Sequence, residues 1–176
     1  SFSFADINIS VDTGDVNISG SSDETIFIKT NTGDITLTDI TADEINLKTS
    51  TGHINLNNMI CKRDITTITS TGELVVKDVT CENLNSNSDT GEFFVNGLIA
   101  EGSITIDTDT GDITFDGSDA DTLNIKTDTG EITGTLLSDK IFIVKSDTGD
   151  IDVPDTTSGG KCEIETDTGD IKITVK

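Results

Sequence analysis

Carboxylates flank a Thr-Gly pair that recurs along this chain of 176 residues. A leading row of side chains lies two positions before each glycine, and a trailing row lies one position after it. In the last four repeats both rows are acidic, and their members are Asp109, Asp112, Asp128, Glu131, Asp147, Asp150, Asp167 and Asp170. If the repeats stack, these carboxylates share one edge, which would suit Ca²⁺ and its about six to eight oxygen ligands.

A structural role explains the same residues without a ligand. A leading-row Asp can form an Asx-turn to nearby backbone N–H groups, and a trailing-row acid can simply face water. Earlier repeats carry Asn31, Ser50 and Ser70 in the leading row, and these side chains form the same kind of turn. We therefore predict no metal and no cofactor, and we keep a Ca²⁺-dependent binding module built on the stacked corners as the alternative.

The remaining reactive side chains are few. His53 is the only histidine, and we expect it to be solvated at a corner. Cys61 and Cys81 occupy the same position in neighbouring repeats, where a Cα separation of ~5 Å would permit a disulfide. Alanines occupy that position in the flanking repeats, so we expect free buried thiols, with the disulfide as the alternative. Cys162 replaces an aliphatic core residue, and we expect it to be inert.

The sequence shows no arrangement typical of an enzyme. It has no Cys-His or Ser-His-Asp set, no zinc-ligand spacing, no P-loop and no dinucleotide-binding glycine motif. Polysaccharide-cleaving β-helices also use acids on stacked coils, but they build their clefts from long loops, and this chain has none. We predict no catalytic residues and keep a polysaccharide-active β-helix enzyme as a remote alternative.

The charge balance limits the partners. The chain has 33 acidic residues against 11 lysines and arginines, a net charge of −22. Nucleic acids and anionic membrane surfaces need clustered cations, so we expect neither nucleic-acid binding nor membrane contact by this segment. Such acidity favours solubility, cations or basic partners.

The glycines of the Thr-Gly pairs recur every 19 or 20 residues, at Gly14, Gly33, Gly52, Gly72, Gly91, Gly111, Gly130, Gly149 and Gly169. A period this regular indicates one small unit stacked on itself. The repeat spans the chain, so residues 1–176 are predicted to form a single domain.

Apolar residues alternate on both sides of each glycine, as in Leu123/Ile125 and Ile113/Phe115. This pattern predicts two short strands around each Thr-Gly corner. The units could form an antiparallel meander or a parallel β-solenoid of about nine coils. The solenoid is favoured because a slip of one residue would turn the apolar side chains outward, so coils must keep their length. The predicted glycine conformation is positive φ.

Four local expectations follow. The alternation breaks at residues 64–68 in a coil of 20 residues, which predicts a β-bulge. The Thr-x-Thr pairs resemble the flat ladders of some ice-binding solenoids, but the alternation places these threonines inward or at the corner, so we expect a hydroxyl ladder inside the turn. The final segment, residues 171–176, resembles a strand that simply stops, which predicts end-to-end pairing with a second copy or a cover from residues outside this segment. Phe2 and Phe4 are expected to cap the start.

The recurring core of Ser or Asp, Thr, Gly, Asp or Glu, and Ile, as in residues 146–151, resembles a bacterial family of β-strand-repeat proteins. That family is described as adhesin-like or as a domain of unknown function. The resemblance covers essentially the whole chain. It implies a right-handed β-solenoid, often attached to membrane-anchoring or envelope-stress modules, and it carries no catalytic residues.

Taken together, the residues predict an all-β, single-domain parallel β-solenoid. The expected function is that of a non-enzymatic structural or interaction rod, adhesin-like, which meets a protein or cell-surface partner. The expected location is extracytoplasmic, in the bacterial envelope or on the surface, with an anchor or signal outside this segment. An end-to-end homo-oligomer is a further possibility.

Overall fold

The computed structural model describes residues 6–20 and 24–176, and it contains strands but no helix within those ranges. No helix in the described ranges is long and apolar enough to cross a membrane. The strands are β1 (Ile7–Thr13), β2 (Val16–Ser19), β3 (Thr25–Thr32), β4 (Ile35–Thr38), β5 (Thr41–Ala42), β6 (Glu44–Thr51), β7 (Ile54–Cys61), β8 (Asp64–Thr71), β9 (Leu74–Thr90), β10 (Phe93–Thr110), β11 (Ile113–Thr129), β12 (Ile132–Leu136), β13 (Lys140–Thr148), β14 (Ile151–Asp152), β15 (Gly160–Thr168) and β16 (Ile171–Val175). The expected caps Phe2 and Phe4 lie outside the described residues.

Equivalent strands of different coils pair in parallel, so the chain is a β-solenoid of about nine turns and the antiparallel meander is wrong. Ile26, for example, lies between Ile7 and Ile45, each one coil away. The segments before the corner glycines form a leading sheet, and the segments after them form a trailing sheet. The long strands β9, β10 and β11 run through parts of both.

The core lies between the two sheets and follows the predicted alternation. Ile28 and Leu47 of the leading sheet, and Ile35 and Leu56 of the trailing sheet, are almost completely buried. Some core positions are polar, and Thr67 and Ser86 are two that replace aliphatic residues in adjacent strands. Their hydroxyl oxygens lie 2.6 Å apart, and this hydrogen bond satisfies both groups inside the core.

Two features of the backbone require glycine at the corners, namely its conformation and the close approach of the neighbouring coil. Most have positive φ, such as +142° at Gly33 and +150° at Gly52, as the sequence predicted. A Cβ at Gly52 would also lie 2.1 Å from the carbonyl oxygen of Gly33. The coils therefore meet at the corners at a distance that no side chain permits.

A second corner lies six residues after the repeat glycine, and the sequence analysis missed it. Its residues have positive φ and are Gly20, Asp39, Asn58, Asp78, Gly97 and Gly117. Glycine, asparagine and aspartate tolerate this conformation best, so the shared column of these three types was the available signal. After Gly130 this corner is absent, because Asp116 pairs with Thr135 and Ser118 pairs with Leu136, which leaves Gly117 without an equivalent.

The last coils do not stack in chain order. Strand β15 lies between β11 and β13, and β16 lies between β12 and β14. After Leu136 the chain crosses to the far end of the rod, forms β13 and β14, and returns to insert its final strands beneath them. The prediction that residues 171–176 form an exposed end is only partly right. Strand β12 pairs with the whole of β16, but β14 covers only Ile171 and Lys172 on the other side, so the far edge of residues 173–175 has no strand partner in the described ranges. The outermost strand is β13.

The bulge predicted near residues 64–68 is not found within a strand, but the extra residue does lie just before them. Strand β8 pairs without a break with β6 and β9, and the extra residue is absorbed in the bend at Lys62 and Arg63. Ala42 pairs with Cys61, whereas Ile45 pairs with Ile65, so the offset changes from 19 to 20 across that bend. A register shift does occur between Ala100 and Ser103.

Candidate functional site

The trailing row forms a hydrogen-bonded ladder between coils. The Oδ1 atom of Asp34 accepts the N–H of His53 at 2.8 Å, and Oδ1 of Asp112 accepts the N–H of Glu131 at 2.8 Å. His53 itself continues the ladder, since its Nδ1 accepts the N–H of Glu73 at 3.1 Å. His53 and Asp112 are exposed at the corner, as expected, but each also accepts a hydrogen bond from the next coil. They satisfy backbone donors that the stacked strands leave unpaired.

The leading row makes contacts of another kind. Its hydrogen bonds and ion pairs in the described residues run to side chains rather than to the N–H groups of an Asx-turn. Lys126 Nζ lies 3.2 Å from Asp128, and Lys145 Nζ lies 3.2 Å from Asp147. The hydrogen bond to Asp128 raises the pKa of Lys126, and bonds to Glu165 and then Asp147 raise the pKa of Lys145. These pairs are exposed, so each contributes little to stability.

The inserted coil changes the order of both rows. Gly130 packs against Gly111, Gly169 packs against Gly130, and Gly149 packs against Gly169. The leading row therefore runs Asp109, Asp128, Asp167 and Asp147, and the trailing row runs Asp112, Glu131, Asp170 and Asp150. All eight predicted acids do lie along one edge, but in this order rather than in chain order.

The first threonine of each Thr-x-Thr pair joins neighbouring corners from inside. Thr49 Oγ1 donates to the carbonyl of Gly33, and Thr127 Oγ1 donates to that of Gly111, both at 3.2 Å. Both threonines are buried, so the predicted internal hydroxyl ladder is confirmed for the first threonine, whereas second threonines such as Thr51 and Thr129 are exposed at the corner. Thr30 and Ser88 are equivalent buried residues whose hydroxyls have no protein partner in the structure.

The acids do not converge on a common point. No group of three or more histidine, cysteine, aspartate or glutamate side chains in the described ranges is placed to hold a metal ion. Parallel strands are spaced at ~4.8 Å, so each row is a single file of carboxylates. In several trailing-row acids, one carboxylate oxygen already accepts a hydrogen bond from a backbone N–H. A groove along the corner has a volume of about 340 Å³ and includes Glu73 and Glu92 in its lining.

The three cysteines are free and buried. Burial raises the pKa of Cys61 to about 11, and burial raises those of Cys81 and Cys162 to about 12. The thiolate is the reactive form, so these thiols are inert at neutral pH. Cys162 lies in register with Leu123 and Phe142, as expected for a replaced aliphatic residue.

A buried ion pair marks the place where the chain leaves the regular stack. Lys140 Nζ lies 2.5 Å from Asp119 Oδ1 and donates to Ser138 Oγ at 2.7 Å, with 3% of the lysine side chain exposed. Thr156 Oγ1 donates to the carbonyl oxygen of Lys140. The sequence analysis missed this pair, although a lysine at the start of an apolar strand was its signal.

Comparison with known proteins gives a family and no named activity. The sequence model of the family described as Toastrack DUF4097 matches residues 2–73 and again residues 59–176. The chain belongs to the Toastrack DUF4097 family. The two matches overlap, which agrees with a Toastrack domain built from one repeated unit. No curated protein and no solved structure gave a significant match.

Proposed function

We propose that this Toastrack chain is a non-enzymatic interaction rod of the bacterial cell envelope or surface. It acts in an adhesin-like manner, by holding a straight row of carboxylates against a partner that carries cations or hydrogen-bond donors. The leading row is the binding element, because it faces outward and its side chains are not needed to satisfy the backbone.

The order and exposure of the leading row carry this proposal. Asp109, Asp167 and Asp147 are exposed, and Asp128 is half-buried in the same row. Paired strands fix the separation of the Cα atoms in this row at ~4.8 Å, so the backbone of the row is ordered before a partner binds. A repeat rod presents such a row over a length that a compact domain cannot offer.

The proposal places the partner outside the cytoplasm, as a protein or a cell-surface component. The net charge of −22 supports a basic partner, since long-range attraction speeds encounter with one. The Ca²⁺ alternative has no observation in its favour, because the acids lie in file and do not surround a common point.

Binding of the fluorescently labelled chain to intact bacterial and host cells tests the proposal. The double substitution Asp109→Asn with Asp167→Asn removes two row charges and should weaken binding about tenfold or more. The matched control, Asp152→Asn with Asp155→Asn, removes the same charge at exposed positions outside the row and should bind as the parent does. Equal binding by all three proteins would contradict a role for the row.

A further inference from the structure

The outermost coil presents an unpaired strand edge with an apolar rim. Within the described ranges, β13 pairs only with β15 and β14 pairs only with β16, so the far side of each strand is free. Ile141, Ile143 and Ile151 lie on this coil and are 45%, 51% and 47% exposed. A free edge with exposed apolar residues is a template for pairing with another strand.

The first coil offers a different edge. The outward residues of β1 include Asn8, Ser10 and Asp12, and all three are polar and exposed. If β1 of a second copy continued the solenoid in register, Asp12 would lie beside Asp147, a like-charge pair. Asn8 would also lie beside Ile143, so the apolar rim would meet a polar strand. Head-to-tail stacking would leave the apolar rim beside a polar strand, so it buries less apolar surface than a contact between two copies of the rim.

The geometry points to a second copy of this chain as the occupant, docked tail to tail through an antiparallel pair of β13 strands. In the register centred on Phe142, Ile141 lies opposite Ile143 of the second copy, and the reverse pair forms by symmetry. Phe142 lies opposite its own equivalent on the core side, where it is half-buried in the single chain. Directly opposed residues of an antiparallel pair lie on the same face of the sheet. Outward side chains of one copy therefore meet outward side chains of the other, and core-facing side chains meet core-facing ones.

Charge complementarity supports this register. Asp139 is exposed just before β13, and Lys145 is exposed within it. The register centred on Phe142 places Asp139 of each copy opposite Lys145 of the other, so two opposite-charge pairs flank the isoleucines. The contact is self-complementary and closes at two copies. It goes beyond the binding role proposed above, because it uses the end of the rod and not the acidic row.

Sedimentation velocity over a concentration series at 0.15 M NaCl is the first test, since a Debye length of ~8 Å limits net repulsion at that salt concentration. The chain should show a monomer–dimer equilibrium, and Ile143→Lys should remain monomeric. Phe27→Lys is the matched control, because Phe27 occupies the equivalent position of β3 and is 41% exposed. It should dimerise as the parent does. A monomer at every concentration, or species that grow beyond the dimer, would overturn the inference.

Charge reversal tests the register itself. Asp139→Lys and Lys145→Asp each create two like-charge pairs in the dimer, so each variant alone should dimerise about tenfold more weakly. An equal mixture of the two variants restores both opposite-charge pairs and should form heterodimers with the affinity of the parent. Circular dichroism melting curves establish that both variants are folded. If mixing does not restore association, the proposed register is wrong.

Discussion

A trailing-row acid acts at the residue scale as the acceptor for a backbone donor of the next coil. This role is not visible in the sequence, where Asp112 and Asp128 look equally suited to bind a cation. Only the stacking shows that Asp112 accepts a hydrogen bond from the N–H of Glu131 in the next coil. Asp128 instead forms an ion pair with Lys126, two residues earlier in the chain.

The ladder makes a direct prediction for Asp112. Asp112→Ala leaves the N–H of Glu131 without its acceptor and should lower the free energy of unfolding by about 1 kcal/mol. Asp112→Asn keeps Oδ1 and should cost less. Asp128→Ala removes only an exposed ion pair and should cost at most about 0.5 kcal/mol. Urea denaturation measures all three, and an equal loss for Asp112→Ala and Asp128→Ala would contradict the ladder.

The buried thiols predict a loss of stability at high pH. Their pKa values rise from 9.0 to about 11 for Cys61 and about 12 for Cys81 and Cys162, so the folded chain holds protons that the unfolded chain releases. Their contribution is full below pH 9 and is lost as the pH rises through 11 to 12, at up to ~1.4 kcal/mol per pH unit for each thiol.

Urea denaturation at pH 7 and pH 10.5 checks this loss. A variant with Cys61→Ala, Cys81→Ala and Cys162→Val should lose less stability between the two pH values than the parent does. Alanine already occupies equivalent positions at Ala42, Ala100 and Ala120, so the first two substitutions fit the column. An identical loss in parent and variant would mean that other groups cause it.

At the scale of elements, most of the fold could be predicted, because β-branched alternation and constant coil length both report burial. The strand pairs and the internal threonine ladder followed from that pattern. The exchanged order of the last coils could not be predicted in the same way, since the glycine spacing stays at 19 or 20 residues through it. The loss of the second corner at Leu136 and the lysine at 140 were the only local signs.

The ion pair of Lys140 and Asp119 is expected to stabilise the exchanged order. Lys140→Met removes the buried amine and leaves Asp119 without its partner, so it should lower the free energy of unfolding by about 2–3 kcal/mol. Lys161→Met is the control, because the pair of Lys161 with Glu163 is exposed and should contribute about 0.5 kcal/mol or less. Equal effects in urea denaturation would show that Lys140 has no special role.

At the scale of the whole molecule, the exchanged coils decide which strand closes the rod and therefore which surface is exposed at that end. In the structure, Glu163 lies between Asn124 and Ile143. In chain order, Ile143 would instead lie directly beside Asn124. The family match and the repeat pattern agree with either arrangement, so the order needs its own test.

Cysteine cross-linking measures that order most directly, in a background without the native cysteines. Asn124→Cys with Glu163→Cys places two thiols on adjacent strands, with Cα atoms ~4.8 Å apart, inside the range of a disulfide. Asn124→Cys with Ile143→Cys places them two strands apart, at ~9.6 Å, outside that range. We predict rapid oxidation of the first pair and none of the second. Oxidation of the second pair in place of the first would contradict the inserted coil and the end surface derived from it.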